Sequence, residues 1–237
     1  PINVCGGSPA FLIASDSQRK VTIFNPGGKI GLYAEEKVLV STSPDGRGLN
    51  AEVTLPQGSV NNKGQLIADA GSIVLQAQVV NQGGLVQANS VRDVNGTIEL
   101  MAGDSLNLGE GSTISAKGGS DGVSAGGTVT IKSGNNFSDQ ASAVIDVSGG
   151  ALGGNGGQVE ISAAQLEGIQ SNIKGSAGAG FIGGRLTIDP TDILLNSAFV
   201  STLNSQISWG LSQVNLQADH DIILSTTWTL ADQNSAA

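Results

Sequence analysis

The chain has 237 residues, of which 35 are glycine, whereas aromatic residues make up only 3 % and charged residues only 13 %. A net charge of −9 without any Lys/Arg cluster argues against a nucleic-acid partner, because neutralising phosphates requires clustered cations. No apolar stretch reaches the roughly 18 residues of a membrane-spanning helix. The chain begins with Pro1 rather than methionine, which indicates a piece of a longer chain.

The chain divides into three predicted regions. Residues 1–27 contain two predicted entry strands, at Ala10–Ala14 and 20–24, and end in a turn at residues 25–27. Residues 28–192 are predicted to be regular β repeats. Residues 193–237 are predicted to hold further coils, a short helical excursion and a frayed tail.

A short sequence motif recurs along the chain, in which a glycine is followed by aliphatic residues at alternate positions. It occupies residues 71–77 and, 25 residues later, 96–102. From position 71 the steps between copies are 25, 31, 30, 27 and 28 residues, and the 43 residues from 28 to 71 leave room for two short turns. Alternation with period 2 predicts strands that each present one apolar face.

Internal similarity with this period is typical of solenoids, propellers and repeat arrays. No amphipathic helical stretch separates the strands, which argues against helical repeats, and a propeller blade needs about 40 residues. We therefore predict an all-β fold, a parallel β-helix (β-solenoid) of about eight or nine coils and on the order of 40 Å long, at about 4.8 Å per coil. Stacked inward rows should carry this fold, namely Ile30, Leu32, Ile73, Leu75, Ile98, Leu100, Val129, Ile131, Val159, Ile161, Leu186, Ile188, Val214 and Leu216.

Two further sequence motifs recur in step with the glycine motif. Residues 60–67 and 79–86 share Val-x-Asn-x-Gly-x-Leu at a spacing of 19, which predicts that Asn62 lies over Asn81 in an amide ladder. A third strand recurs around Ile114, Ile145 and Ile173. The glycine-rich stretches 118–122, 149–156 and 175–180 fall at one phase of the repeat and should lie together along one edge.

The repeat pattern of the sequence changes after residue 192. Apolar residues at Phe199, Leu203, Ile207 and Leu211 recur every four positions, which predicts a short helix on the side of the rod. The strand pattern then resumes at Val214.

These repeats resemble the exoproteins of two-partner secretion, the filamentous-haemagglutinin-like adhesins. The similarity is carried by residues 28–34, 38–41, 43–48, 79–89 and 218–224. It implies a right-handed parallel β-helix, secreted through an outer-membrane partner that recognises an N-terminal secretion domain with an Asn-Pro-Asn-Gly motif. The nearest match, Asn-Pro-Gly-Gly at 25–28, implies that residues 1–27 are the end of such a domain.

Several short motifs could bear chemistry, and a structural interpretation is favoured for each. Residues 178–183 match GxGxxG but lead into a strand, whereas a dinucleotide site requires a helix there. The only histidine, His220, lies between two aspartates, and one histidine does not make a usual zinc set. Residues 118–122 resemble a single calcium-binding β-roll repeat.

Enzymatic and ligand-binding alternatives rest on few residues. The closest acidic pairs, Asp189 with Asp192 and Glu35 with Glu36, could suggest a glycosidase, which sets two carboxyls across a sugar. Trp209 and Trp228 could form a ligand platform or cover an apolar edge. No catalytic, metal or cofactor residue is predicted.

The resulting expectation is a non-enzymatic structural shaft of a secreted adhesin or extracellular fibre. The resemblance implies the surface of a Gram-negative-type bacterium and an outer-membrane secretion partner. Open strand edges at the two ends favour end-to-end self-association. The alternatives are a β-helix polysaccharide lyase or hydrolase and a passive surface-layer or matrix filament subunit.

Overall fold

The computed structural model describes residues 2–4, 7–14, 17–19, 22–34, 38–42, 49–53 and 57–229. The described chain consists mainly of strands, its two large sheets are parallel, and one helix is present. The predicted all-β class with parallel strands and a short helix is confirmed.

The first half of the described chain contains the strands β1 (Ile2–Asn3), β2 (Ala10–Ala14), β3 (Ser17–Arg19), β4 (Thr22–Phe24), β5 (Lys29–Ala34), β6 (Val38–Thr42), β7 (Leu49–Val53), β8 (Ser59–Asn62), β9 (Gln65–Ile67), β10 (Ser72–Gln82) and β11 (Leu85–Gln87). The second half contains β12 (Thr97–Leu108), β13 (Thr113–Ser115), β14 (Thr128–Asp139), β15 (Val144–Asp146), β16 (Gln158–Gln165), β17 (Asn172–Lys174), β18 (Gly184–Pro190), β19 (Ile193–Leu195), the helix α1 (Ser197–Ser208), β20 (Leu211–Leu216) and β21 (Ile222–Leu224).

The chain passes alternately between two parallel sheets. The first has the order β1-β4-β9-β11-β13-β15-β17, and the main path of the second is β2-β5-β10-β12-β14-β16-β18-β20. Two short pairs accompany them in the described residues, the parallel β19/β21 and the antiparallel β6/β7. Each strand of the two large sheets therefore pairs with a counterpart one repeat away rather than with its neighbour in sequence.

The spatial register of the second sheet reproduces the sequence repeat. Ile73 pairs with Ile98, which pairs with Val129, and this row continues through Val159 and Leu186. Period-2 alternation turns these side chains inward at every level. Inward residues of both sheets form one hydrophobic cluster.

Of the fourteen core residues predicted above, all are essentially inaccessible to solvent except Val214 and Leu216, which are half-buried. These two lie on β20, the last strand of the main path, and no described strand covers them. Burial of this row therefore decreases where the stack ends.

The interval from residue 28 to residue 71 differs from the expected two short turns. Strand β5 pairs directly with β10, with Ile30 opposite Ile73, so this interval spans one step of the sheet. The additional length includes the antiparallel pair β6/β7. The two strands of this hairpin pair with each other and not with the parallel sheets. The inserted length therefore leaves the register of β5 and β10 unchanged.

The recurring glycine has a steric cause. A Cβ added to Gly71 would lie 2.1 Å from the carbonyl oxygen of Gly28, and one added to Gly127 would lie 2.1 Å from that of Gly96. The same close approach recurs at Gly157, whose Cβ would lie 2.0 Å from the Gly127 oxygen. Successive turns of backbone therefore meet at this corner too closely for any side chain.

The helix α1 covers the end of the first sheet. Asn196 Oδ1 accepts a hydrogen bond from Phe199 N (2.9 Å) and caps the helix N-terminus. Buried Gln206 accepts from Ile173 N and donates to Ser171 O, at 2.8 Å each, so that its amide replaces a further strand beside β17. No helix in the described part of the chain has the length and apolar character of a membrane span.

Candidate functional site

An amide ladder runs along the second sheet, but its register differs from the prediction. Asn81 Nδ2 donates to Asn61 Oδ1 (2.7 Å), and Asn107 Nδ2 donates to Asn81 Oδ1 (2.8 Å). Ser138 Oγ extends the ladder by donating to Asn107 Oδ1. The predicted pairing of Asn62 with Asn81 is wrong, since Asn62 is buried and instead donates to Gln82 Oε1 (2.8 Å).

The error comes from two adjacent valines. The sequence alignment placed Val60 over Val79, whereas the structure pairs Val60 with Val80, which is fully buried. Adjacent residues on a strand point to opposite faces, and a shift by one residue therefore exchanges Asn62 for Asn61 as the partner of Asn81. The outer Asn61–Asn81–Asn107 ladder and the buried Asn62–Gln82 pair were both missed for this reason.

Replacing Asn81 with alanine should lower the free energy of unfolding by about 1–2 kcal/mol, because it removes two half-buried side-chain hydrogen bonds. Urea unfolding followed by circular dichroism measures this change. The matched control is Asn95→Ala, since Asn95 is exposed and should unfold at the wild-type midpoint. Equal midpoints for both variants would contradict a stabilising role of the ladder.

Two carboxylates bind the backbone of the next repeat. Asp69 accepts from Asn89 N (2.9 Å) and from Gln87 Nε2 (3.0 Å). Buried Asp139 accepts from Gln170 N (3.0 Å) and Ser171 N (2.7 Å). Hydrogen bonds from backbone N–H groups to an ionised carboxylate are shorter and stronger than those between neutral groups. Both arrangements link one repeat to the next.

The predicted acidic and histidine positions do not form a compact cluster. His220 Nδ1 lies 3.9 Å from Asp192 Oδ1, and both side chains are mostly exposed. Within the described ranges, no three His, Cys, Asp or Glu side chains come together to hold a metal ion. Glu35 and Glu36 lie outside the described residues.

The glycine-rich stretches meet along one edge, as predicted. Gly149 N donates to Ser176 O (2.8 Å), and a Cβ added to Gly118 would lie 2.2 Å from Gly150 N. Residues 178–183 form a loop that leads into strand β18. A dinucleotide site would require a helix at that position. In residues 118–122, which resemble a calcium-binding repeat, Asp121 Oδ1 accepts a hydrogen bond from Ser120 Oγ (3.1 Å).

The single tyrosine is buried beside the entry strands. Tyr33 is 1 % exposed and makes an edge-to-face contact with Phe11, at a centroid distance of 5.9 Å. Burial, assisted by the nearby charge of Glu99, raises the pKa of Tyr33 from 10.0 to about 12. The neutral phenol is therefore favoured in the folded state.

Ultraviolet titration should show Tyr33 ionising near pH 12 in the folded chain and near pH 10 in urea. Because the unfolded state loses this proton first, the contribution of Tyr33 to stability should be constant below about pH 10, fall as the pH rises through the folded-state value and then level off. The fall amounts to roughly 1.4 kcal/mol per pH unit of separation between the two pKa values. A phenolate signal at pH 10 without unfolding would contradict the burial.

A groove lies beside the last strands, between α1 and the glycine-rich edge. Its volume is about 920 Å³, and its lining includes Phe181, Asn204, Gln213 and Trp228. Trp228 Nε1 donates to Asn204 Oδ1 (2.9 Å). Trp228 was a candidate from the sequence, whereas Phe181 and Asn204 were not, because a loop, a helix and the terminal segment contribute the three residues separately.

Known proteins offer no further guide to this groove or to the ladders. Comparison of the chain with protein-family models, with curated protein sequences and with solved structures found no match.

Proposed function

We propose that the chain is a right-handed parallel β-helix that serves as the structural shaft of a secreted, cell-surface adhesin or extracellular fibre. Each strand of the main path of the second sheet then belongs to one coil. The alternation of the chain between two parallel sheets, with one shared core, supports this arrangement.

The observation that carries the proposal is the incomplete burial of the inward rows at both ends. Leu12 on β2 and Val214 and Leu216 on β20 pack on the core but are only half-buried. Central members of the same rows, such as Ile131, are fully buried. Apolar rows that become exposed at each end favour stacking of another coil there, from flanking chain or from a second copy.

The polar groups support a structural role over a lyase or hydrolase on the same fold. A glycosidase needs two carboxyls free to act across a sugar. Asp69 and Asp139 instead accept backbone hydrogen bonds from the following repeat. Their contribution is cohesion between coils.

The resemblance to filamentous-haemagglutinin-like exoproteins extends the proposal to location and partners. The shaft would lie outside the cell or on the surface of a Gram-negative-type bacterium, after export by an outer-membrane secretion partner. The scarcity of charged residues, 13 % of the chain, agrees with an outer surface built from Ser, Thr, Asn and Gln.

Negative-stain or cryo-electron microscopy of the purified chain at physiological salt tests the proposal. We expect elongated particles whose long axis is on the order of 40 Å, from coils about 4.8 Å apart, joined end to end into filaments. Leu216→Asp should shorten the filaments by placing a charge on the half-buried end, whereas Thr128→Asp, at an exposed position within the stack, should not. Compact particles without a long axis would overturn the β-helix proposal. Elongated particles that stay single would overturn end-to-end association alone.

A further inference from the structure

The groove beside β20 has an unusual lining for an acidic chain. None of the described residues that line it has an ionisable side chain, and the lining includes Ser176, Phe181, Asn204, Ser212, Gln213 and Trp228. The volume of about 920 Å³ falls within the usual range of small-ligand sites, about 300–1,000 Å³. A charged ligand would find no counter-ion among these lining residues, and Arg185, next to them, already donates through Nε to Gln213 Oε1.

Two aromatic rings line this groove. Phe181 is 39 % exposed, and Trp228 is half-buried with part of its side chain packed on the core. The hydrogen bond from Trp228 Nε1 to Asn204 Oδ1 (2.9 Å) restrains the indole ring. A restrained aromatic ring offers a large, rigid apolar surface at little entropic cost.

Amide and hydroxyl groups supply the polar contacts. Asn204 accepts through Oδ1, and its Nδ2 donates no hydrogen bond within the described residues. Gln213 Oε1 accepts from Arg185 Nε (2.9 Å), and Ser212 Oγ donates to Gly183 O (2.7 Å). Each hydroxyl and amide oxygen has two lone pairs, so the oxygens of Gln213 and Ser212 retain capacity for a ligand.

We propose that this groove binds a neutral oligosaccharide. The C–H face of a sugar ring is apolar and stacks on an aromatic ring, while its hydroxyls exchange hydrogen bonds with amides and side-chain hydroxyls. An uncharged lining with two aromatic residues and two amides matches both requirements. The inference goes beyond the shaft proposal, since the groove is formed within one copy of the chain.

Fluorescence titration tests the site directly. Trp209→Phe leaves Trp228 as the only tryptophan and does not alter a lining residue. This variant would be titrated with neutral gluco-, xylo-, manno- and galacto-oligosaccharides of several units. We expect a saturable change in emission with at least one series and an affinity that is unchanged between low and high NaCl, because no ion pair contributes. Failure of every series to give a saturable change would overturn the proposal, as would an affinity that falls steeply with salt.

Variants of the lining assign the binding to this groove. By calorimetry, Trp228→Leu should abolish binding of the selected sugar, and Asn204→Ala should weaken it about tenfold, the equivalent of one good hydrogen bond. Asn204 is exposed, so its replacement tests the site without a core change. Thr128→Asp, remote from the lining, should bind like wild type. Undiminished binding by both lining variants would overturn the assignment.

Discussion

Replacing Ile131 with aspartate should break the stack at β14. Ile131 is fully buried in an inward row of the second sheet, between Leu100 on β12 and Ile161 on β16. Aspartate there loses the packing of a buried aliphatic side chain, about 2–5 kcal/mol. It also places a carboxyl in an apolar core, which costs several kcal/mol more whether the group is ionised or protonated. Since stability in a repeat array depends on contacts between neighbours, the damage should be centred on the adjoining repeats.

Limited proteolysis followed by mass spectrometry measures this effect. The Ile131→Asp chain should be cleaved rapidly in the glycine-rich stretches on either side, 118–122 and 149–156, where we expect the wild-type chain to be cleaved slowly. The matched control is Thr128→Asp, which adds the same charge at an exposed position of the same strand. An Ile131→Asp chain that remained as protected as this control would contradict the proposed inward row.

Replacing Gly127 with alanine should destabilise the chain through its backbone. The new Cβ would meet the carbonyl oxygen of Gly96 at 2.1 Å. That oxygen also accepts the hydrogen bond of Thr128 N (3.0 Å), so relieving the clash would separate the two strands at this ladder position. Overpacking of this kind costs typically about 1–3 kcal/mol, and backbone atoms have less freedom to yield than side chains.

Urea unfolding of Gly127→Ala should therefore show a clearly lower midpoint than wild type. Gly168→Ala is the control, because a Cβ at Gly168 meets no atom within 4 Å. The control should match or slightly exceed wild-type stability, since alanine lowers the entropy of the unfolded chain. If the two variants unfolded together, the recurring glycine would need another explanation than close backbone approach.

Much of the stack could be predicted because one pattern is repeated. The copies that begin at 71, 96, 127, 157 and 184 align in sequence in the same register in which β10, β12, β14, β16 and β18 pair in space. Parallel pairing of equivalent residues aligns like with like, so the period itself specifies the partner. The glycine-rich edge follows from the same phase.

Prediction failed where the pattern allowed two registers or was interrupted. Two adjacent valines fitted the repeat equally well, and only the burial of Val80 places Asn81 over Asn61 rather than Asn62. The hairpin of β6 and β7 lengthens the interval after residue 28 without adding a step to the sheet. Sequence spacing counts residues, whereas pairing depends on which of them enter the stack.

The all-β class, the inward aliphatic rows and the helix near residue 200 could be predicted from local patterns, because burial imposes a periodicity on neighbouring residues. The ladder register, the bonds from Asp69 and Asp139 to the next repeat, and the groove of Phe181, Asn204 and Trp228 became visible in the folded chain alone. These features join side chains from separate segments. Their positions depend on how successive turns of the chain stack, and a local sequence period does not specify that stacking.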